Sequence, residues 1–412
     1  MARRPSEPAD STAAATRLLL ALAKALHRYG TPAHRLEEAF ARVAEAMGLR
    51  SAQLLSTPTA MHMALGEGAE QRVYLLRTTS ERIDLEGLTE LDAIVEGLTR
   101  GQLGVPEAEA RLAALHDREP RYGARAMRWA TAAASATAVV FLDGGAIELA
   151  AAAALGLGVG WLAKWSALLP RARAVHEPLA ALVVSALVTL LVAAVPGVSA
   201  GVVLVAALIM MVPGLTLTTG MTELAAGHLV SGTARLAGAM TLLLTMLFGA
   251  ALGRLLAGTV PLHPVLAGGS VGLPEGMGLA AIAAATVAFT VLLGARPRDA
   301  GWVALACGLS YGAARLGSHS LGPELGAFVG AATVGAASNA FARWRRRPAA
   351  LMRLPGLLLL VPGSLGFRSL DSLLAADTVA GTDGMFRVAM IAIALAAGTF
   401  GADLLLPARR GL

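Results

Sequence analysis

The chain has 412 residues, 56% of them hydrophobic and only 15% charged, with a mean hydropathy of +0.63 and a formal net charge of +6. That composition is too apolar for a soluble globular protein of this length. Residues 1–126 hold 17 of the 28 acidic and 16 of the 34 basic groups, so the positive excess sits in the apolar remainder. There it reads as basic loops beside membrane spans, not as a nucleic-acid surface.

From the N-terminus, the first apolar stretch contains Lys24 and runs into His27-Arg28, which argues against a cleaved signal peptide. Asp10 or Ser11 caps a helix that reaches about Tyr29 and stops at Gly30. Thr31 then serves as N-cap, with Pro32 in the first position, of a second helix bearing Leu36, Phe40, Val43 and Met47 on one face. Short strands follow at 52–57, 59–65 and 72–78, with Gly66-Glu67-Gly68 turning between the last two. An amphipathic helix over 85–98 and another opened by Pro106 complete a small soluble α+β domain, residues 1–120.

After a charged linker come ten candidate membrane spans: 127–141, 145–163, 179–195, 199–220, 235–257, 277–294, 301–316, 324–342, 350–370 and 385–405. With the N-terminus inside, the inner loops collect most arginines, including Arg171, Arg173, Arg343, Arg353, Arg409 and Arg410. The outer side holds only Arg254, Arg315, Arg368 and Arg387. Both termini are therefore expected in the cytoplasm, and all five tryptophans fall at cytoplasmic span ends. Cys307 lies in an apolar segment and leaves no disulfide or thiolate metal site. No GxxxxGK[ST] or HExxH occurs and no GxSxG accompanies Ser56 and His62, so no ATP coupling, catalytic residue, metal or cofactor is expected.

Val-Pro-Gly occurs twice within the spans, at 212–214 and 361–363, an offset of 149 residues that also relates Gly232 to Gly381. Proline removes a backbone donor and glycine loosens the helix, and freed backbone groups are tolerated at membrane depth only inside protein or around a watery cavity. Two matched breaks indicate an internal duplication. Five spans per half make the halves inverted repeats, residues 121–258 and 259–412. The fold class expected is a polytopic α-helical membrane protein of about ten transmembrane helices. Candidate pathway residues are Pro213, Gly214, Thr216, Thr219, Glu223 and His228 in the first half, and Pro362, Gly363, Ser364, Arg368 and Asp371 in the second. The Pro-Gly pairs shape the cavity. Arg368 suits a carboxylate, and Glu223 and Asp371 suit an ammonium or a proton. Thr218 and Thr222 share the first segment, although a membrane threonine often bonds its own backbone. Ser338 and Asn339 read as helix-packing groups, Asp403 as an interfacial carboxylate, and Asp143 and Glu148 as outer loop.

The segments VPGLTLTTGMTELAAGHLVSGTARLAGA and VPGSLGFRSL, with YGTPAHRLEEAFARVAEAMGL, LLSTPTA and RIDLEGLTELDAIVEGLTRGQL in the soluble part, resemble the threonine/serine exporter family over nearly the whole chain. The resemblance implies a secondary transporter exporting threonine and serine across the bacterial inner membrane, driven by the proton motive force. Relatives made as two separate halves are associated with succinate export, which keeps a C4-dicarboxylate as the alternative substrate. His228 stands where the family's G-D-L-V-S-G-like run would carry an acid, and a histidine there can titrate near neutral pH. The partners implied are the small-molecule substrate, protons and the lipid bilayer, with a homo-oligomer left open and no nucleic acid. A membrane-tethered hydrolase built on Ser56 and His62 is the remaining class, and a polar sheet edge is the plainer account of those residues.

Overall fold

The computed structural model describes residues 8–78, 83–168, 175–261, 271–274 and 276–407. Arg171, Arg173, Arg409 and Arg410 lie outside the described residues. The N-terminal part holds α1 (Pro8–Arg28), α2 (Ala33–Ala46), a three-stranded antiparallel sheet of β1 (Gln53–Ser56), β2 (Ala60–Leu65) and β3 (Arg72–Arg77), then α3 (Leu85–Thr99) and α4 (Val105–His116). Strand β2 lies central, with Leu55 opposite His62 and Met63 opposite Tyr74. Its period of two buries Met61 and Met63 against the helices, while Leu55, Val73 and Leu75 stay exposed. The α2 stripe Leu36, Phe40 and Val43 is fully buried with Leu18, Leu22 and Leu26 of α1.

The remainder is helical: α5 (Ala124–Phe141), α6 (Ala146–Leu168), α7 (His176–Ala194), α8 (Ala200–Leu208), α9 (Gly214–Ala225) and α10 (Leu229–Gly258), then α11 (Met277–Leu292), α12 (Ala300–Leu321), α13 (Pro323–Arg345), α14 (Ala350–Leu358), α15 (Gly363–Leu374) and α16 (Thr378–Leu405). Among the described residues six stretches are long and apolar enough to cross a bilayer: α6, α7, α10, α13, the α14–α15 run and α16. The other expected spans form helices in their places without reaching that combination of length and hydropathy. The break at Pro213 leaves α8 with 9 residues and α9 with 12, and α11 is apolar but has only 16. Exposed Leu244, Phe248, Leu255, Phe386 and Leu405 give α10 and α16 an apolar outer surface suited to lipid. Trp129, Trp161, Trp165 and Trp344 are exposed at or near helix ends, as interfacial residues are.

The same helix pairings recur in the two sets. Helix α7 packs on α10 and α13 on α16, α6 on α8 and α12 on α14, and α9 on α10 and α15 on α16. The contacts also keep the sequence offset to within one residue. Gly232 lies under Leu224 and Gly381 under Leu373, and Gly249 and Gly398 face the carbonyls of Pro178 and Phe328. Such close backbone approach is the usual work of glycine between membrane helices.

The N-terminal part sits against the helical region through its own chain ends and charges. Leu85 and Glu86 backbone N–H groups donate to Leu293 and Gly294 carbonyls at 2.8 and 3.2 Å. Glu86, 7% exposed, receives Arg121 and Arg296, and their guanidiniums hold its carboxyl down at about 2. Tyr122 donates to the Ala295 carbonyl at 2.8 Å.

A Cβ on Gly214 would lie 2.7 Å from Val361 Cγ2 and 3.1 Å from the Gly363 nitrogen. Gly214→Val should therefore destabilise the protein by about 1–3 kcal/mol through overpacking. Thermal melts of detergent-solubilised protein check this against Gly158→Ala, where nothing lies within 4 Å and the melt should not fall.

Candidate functional site

The two Pro-Gly breaks touch. Pro213 and Pro362 precede the first turns of α9 and α15, and neither helix start has a side-chain cap. A Cβ on Gly363 would lie 3.0 Å from the Gly214 Cα and 2.9 Å from Val212 Cγ1. Only two residues without Cβ allow the backbones to cross this closely. The first-turn N–H groups of two half-helices, with the positive ends of their dipoles, thus meet at one point inside the bundle.

From that crossing the half-helices part. Helix α9 leads to His228, whose Nδ1 lies 3.5 Å from Glu37 Oε2 of α2. Helix α15 leads to Asp371, which accepts two bonds from Arg254, at 2.6 and 3.1 Å. His228 and Arg254 stand at opposite ends of α10, roughly 40 Å apart at about 1.5 Å per residue. The polar candidates thus fall into two groups, one at each end. Arg368 is exposed, while Thr216 and Ser364 are half-buried beside the crossing.

On the α9 side a cavity of about 100 Å³ opens directly beside the crossing. A buried water needs about 10–15 Å³ by such a measure, so there is room for several waters or one small solute. Leu215, Thr218, Thr219 and Thr222 of α9 form one wall, and Arg353, Leu354 and Leu357 of α14 with Thr399 of α16 form another. The third wall is the α1–α2 turn, from Tyr29 to Arg35. Thr218 and Thr222 hydroxyls donate back to Gly214 and Thr218 carbonyls at 3.1 and 2.8 Å, as threonines in helices commonly do. Thr219 makes no such bond among the described residues and keeps its hydroxyl for the cavity.

Asp403 anchors the charged side of this cavity. It accepts from Arg35 of α2, from Arg353 of α14 through two nitrogens, and from Asn339 of α13 at 2.7 Å. Arg353 also donates to Asn339 Oδ1 at 2.7 Å. Arg35 also meets the exposed Glu38 at 3.6 Å, so the cluster is close to neutral, and its two guanidiniums are the groups that suit an anionic moiety. Arg353 and Arg35 carry this, and neither stands out in the sequence reading. Arg353 looks like one more basic loop residue, although a lone arginine inside the apolar run ALMRLPGLLLLVPG is itself a signal of a functional position.

Glu223 is fully buried and does not line the cavity. Its Oε1 accepts the Ala33 N–H at 2.8 Å, and its Oε2 accepts Ser231 Oγ at 2.6 Å and Arg235 Nε at 2.9 Å. A carboxylate of α9 thus caps the first turn of α2, where the dipole favours a negative charge. This corrects the expected cap: Pro32, not Thr31, is the N-cap residue, and no side chain of the turn itself bonds the helix start.

His34 packs against the His228 and Phe400 rings, with centroids 6.2 and 6.4 Å away. Burial, helped by the Arg35 charge, pushes its imidazole down to about 3. Burial pushes the Glu37 carboxyl up, against the Ser56 N–H that it accepts at 2.8 Å. Ser56 and His62 form no nucleophile–base pair. Ser56 is buried and opposite Met61, whereas His62 pairs with Leu55 and faces the other, exposed side of the sheet.

Apolar helices, two of them broken where they touch, with a small, mainly apolar cavity edged by threonines and arginines beside the break, define a membrane transporter. Residues 17–256 match a family model described as a threonine/serine exporter, and residues 278–405 match a second, described as Threonine/Serine exporter, ThrE. The chain belongs to the threonine/serine exporter family. It is also 24% identical over 369 residues to the Pheromone-regulated membrane protein 10 of Debaryomyces hansenii and of Candida albicans, and 24% identical over 383 residues to that of Pichia sorbitophila. Those alignments take in 86–88% of this chain but only 33–38% of the relatives, so the chain spans about a third of the length of the curated relatives it matches. No solved structure matches the chain.

A histidine neutral in the fold down to about 3, but titrating near 6.5 when unfolded, makes the unfolded state the better proton binder. Its contribution to stability is present above about 6.5 and is lost as the pH falls toward about 3. His34→Gln should flatten that part of the melting profile between those limits, read as the difference between wild-type and variant melts.

Proposed function

We propose that the chain is a secondary exporter of small hydroxy amino acids, threonine and serine, working by alternating access between two inverted five-helix halves. The observation that carries this reading is the threonine-walled cavity beside the crossing of the broken helices. Hydroxyls and half-helix N-termini bind zwitterions, and half-helix sites of this kind recur in transporters built from inverted repeats. The helix pairings that recur at a fixed offset support the duplication. An odd number of crossings in each half makes it inverted, with ten spans in all. The arginine bias supports both termini in the cytoplasm of a bacterial cell and the membrane region in its inner membrane. In the present conformation the soluble domain covers the cavity from its own side and the Arg254–Asp371 pair ties α10 to α15 at the far end. Export against a gradient then draws on the proton motive force, with His228 and Glu37 as an ionisable pair where α2 meets the end of α9.

A second reading keeps the architecture and exchanges the substrate for a C4-dicarboxylate. It is favoured by Arg35 and Arg353, two cations beside the cavity where an amino acid requires one.

Cells loaded with threonine, serine or succinate decide between these readings by efflux with and without a protonophore. Protonophore-sensitive loss of threonine or serine is the expected result. Succinate efflux alone supports the second reading, and no flux of any of the three refutes both. Replacing Pro213 and Gly214, or Pro362 and Gly363, by Ala-Ala should lower the flux at least tenfold while the protein remains in the membrane.

A further inference from the structure

Among the described residues few buried polar side-chain atoms lack a hydrogen-bond partner, and three of them belong to residues lining this one cavity. They are the Thr31 hydroxyl, His34 Nδ1 and Arg353 Nε. Buried polar groups are normally paired, because an unpaired one forfeits its hydration without return. The three residues come from two different parts of the chain. Thr31, 5% exposed, and His34 come from the turn of the soluble domain, and Arg353 comes from α14 in the membrane region. Each is free for a structural reason. Glu223 performs the capping that Thr31 would otherwise provide. Asp403 and Asn339 occupy both terminal nitrogens of Arg353 and hold its plane, which leaves Nε–H as the donor to spare. His34 is wedged between His228 and Phe400 with its Nδ1 unengaged.

We propose that this cavity is a binding site for a small α-amino acid, completed by the soluble domain, in which Arg353 Nε–H and the Thr31 hydroxyl hold the carboxylate and His34 Nδ1 accepts from the ammonium. The proposal deepens the exporter reading and rests on it. The charge balance suits such a ligand, because Arg35 and Arg353 are matched by Asp403 and Glu38 and a zwitterion adds no net charge. A neutral imidazole with an unprotonated Nδ1 has a lone pair for an ammonium N–H, which a dicarboxylate cannot offer. Thr219, with its hydroxyl unbonded in the opposite wall, is placed to meet a ligand hydroxyl. The soluble domain is then part of the binding site and must move for the ligand to enter or leave from that side.

The test is equilibrium binding of radiolabelled threonine to the full chain in detergent, with Thr31→Val and His34→Leu as variants. Thr31→Val keeps the shape and removes a hydroxyl that bonds nothing in the protein, so its melting temperature should match the wild type. The expected result is a dissociation constant raised roughly tenfold in each variant, as loss of one buried hydrogen bond to a charged group produces. Threonine methyl ester, which has no carboxylate, should fail to compete. Wild-type affinity in both variants, equal competition by the ester, or no saturable binding to the wild type would overturn the proposal. Succinate competing better than threonine would overturn the amino-acid assignment. The exporter reading fails separately: threonine efflux with an unchanged KM in both variants keeps the exporter and removes this site. Threonine binding weakened in the variants, without any efflux by the wild type, keeps the site and removes the exporter.

Discussion

The membrane region depends on one contact, the crossing of backbones at Gly214 and Gly363. An unbroken helix has no free amides at its middle, and a broken one leaves several that hydrocarbon cannot satisfy. Placing the two breaks against each other puts both sets of amides inside protein and gives each half-helix a wall to start from. The recurring pairs on either side, Leu224 over Gly232 and Leu373 over Gly381, keep α9 on α10 and α15 on α16 as the half-helices leave the crossing. The cavity is what remains on one side after these helices part.

The N-terminal part is held to this scaffold by a shared apolar core, in which Leu85 and Leu88 join one buried cluster with Phe289, Leu292 and Leu293, and by charge. Glu86 with Arg296, Glu223 with Arg235 and Ala33, and Asp403 with Arg35 and Arg353 are largely desolvated, and the exposed Arg121 adds to the first from its rim. Buried pairs of this kind contribute little net stability, because desolvation offsets most of the attraction, yet removing one partner is costly. Their value here is geometric. A greasy contact could slide, whereas three bonded carboxylates admit one placement of the α1–α2 turn over the cavity.

Much of the architecture was legible because its signals are local. Proline and glycine mark the breaks at 213 and 362 without help from distant residues, and the strands end within a residue or two of the positions that their alternation indicates. The charged groups were not legible in the same way. Glu223 resembles a proton carrier in sequence and is a cap in the structure, because its partner Ala33 lies 190 residues away. Asp403 resembles an interfacial carboxylate for the same reason, its partner Arg35 being 368 residues distant. Arg353 was hidden differently: a basic residue near a span end satisfies the topology rule, and that sufficient explanation masks a second role.

The Glu223–Ala33 bond has a consequence of its own. The start of α2 is finished by an atom belonging to α9, so the soluble domain does not own all of its fold. Free energy spent in shifting α9 is debited from the first turn of α2, and whatever grips or unravels that turn presses back on α9 to the same extent. Whatever binds at that turn and whatever binds against α9 are thus coupled through one hydrogen bond, each altering the hold of the other.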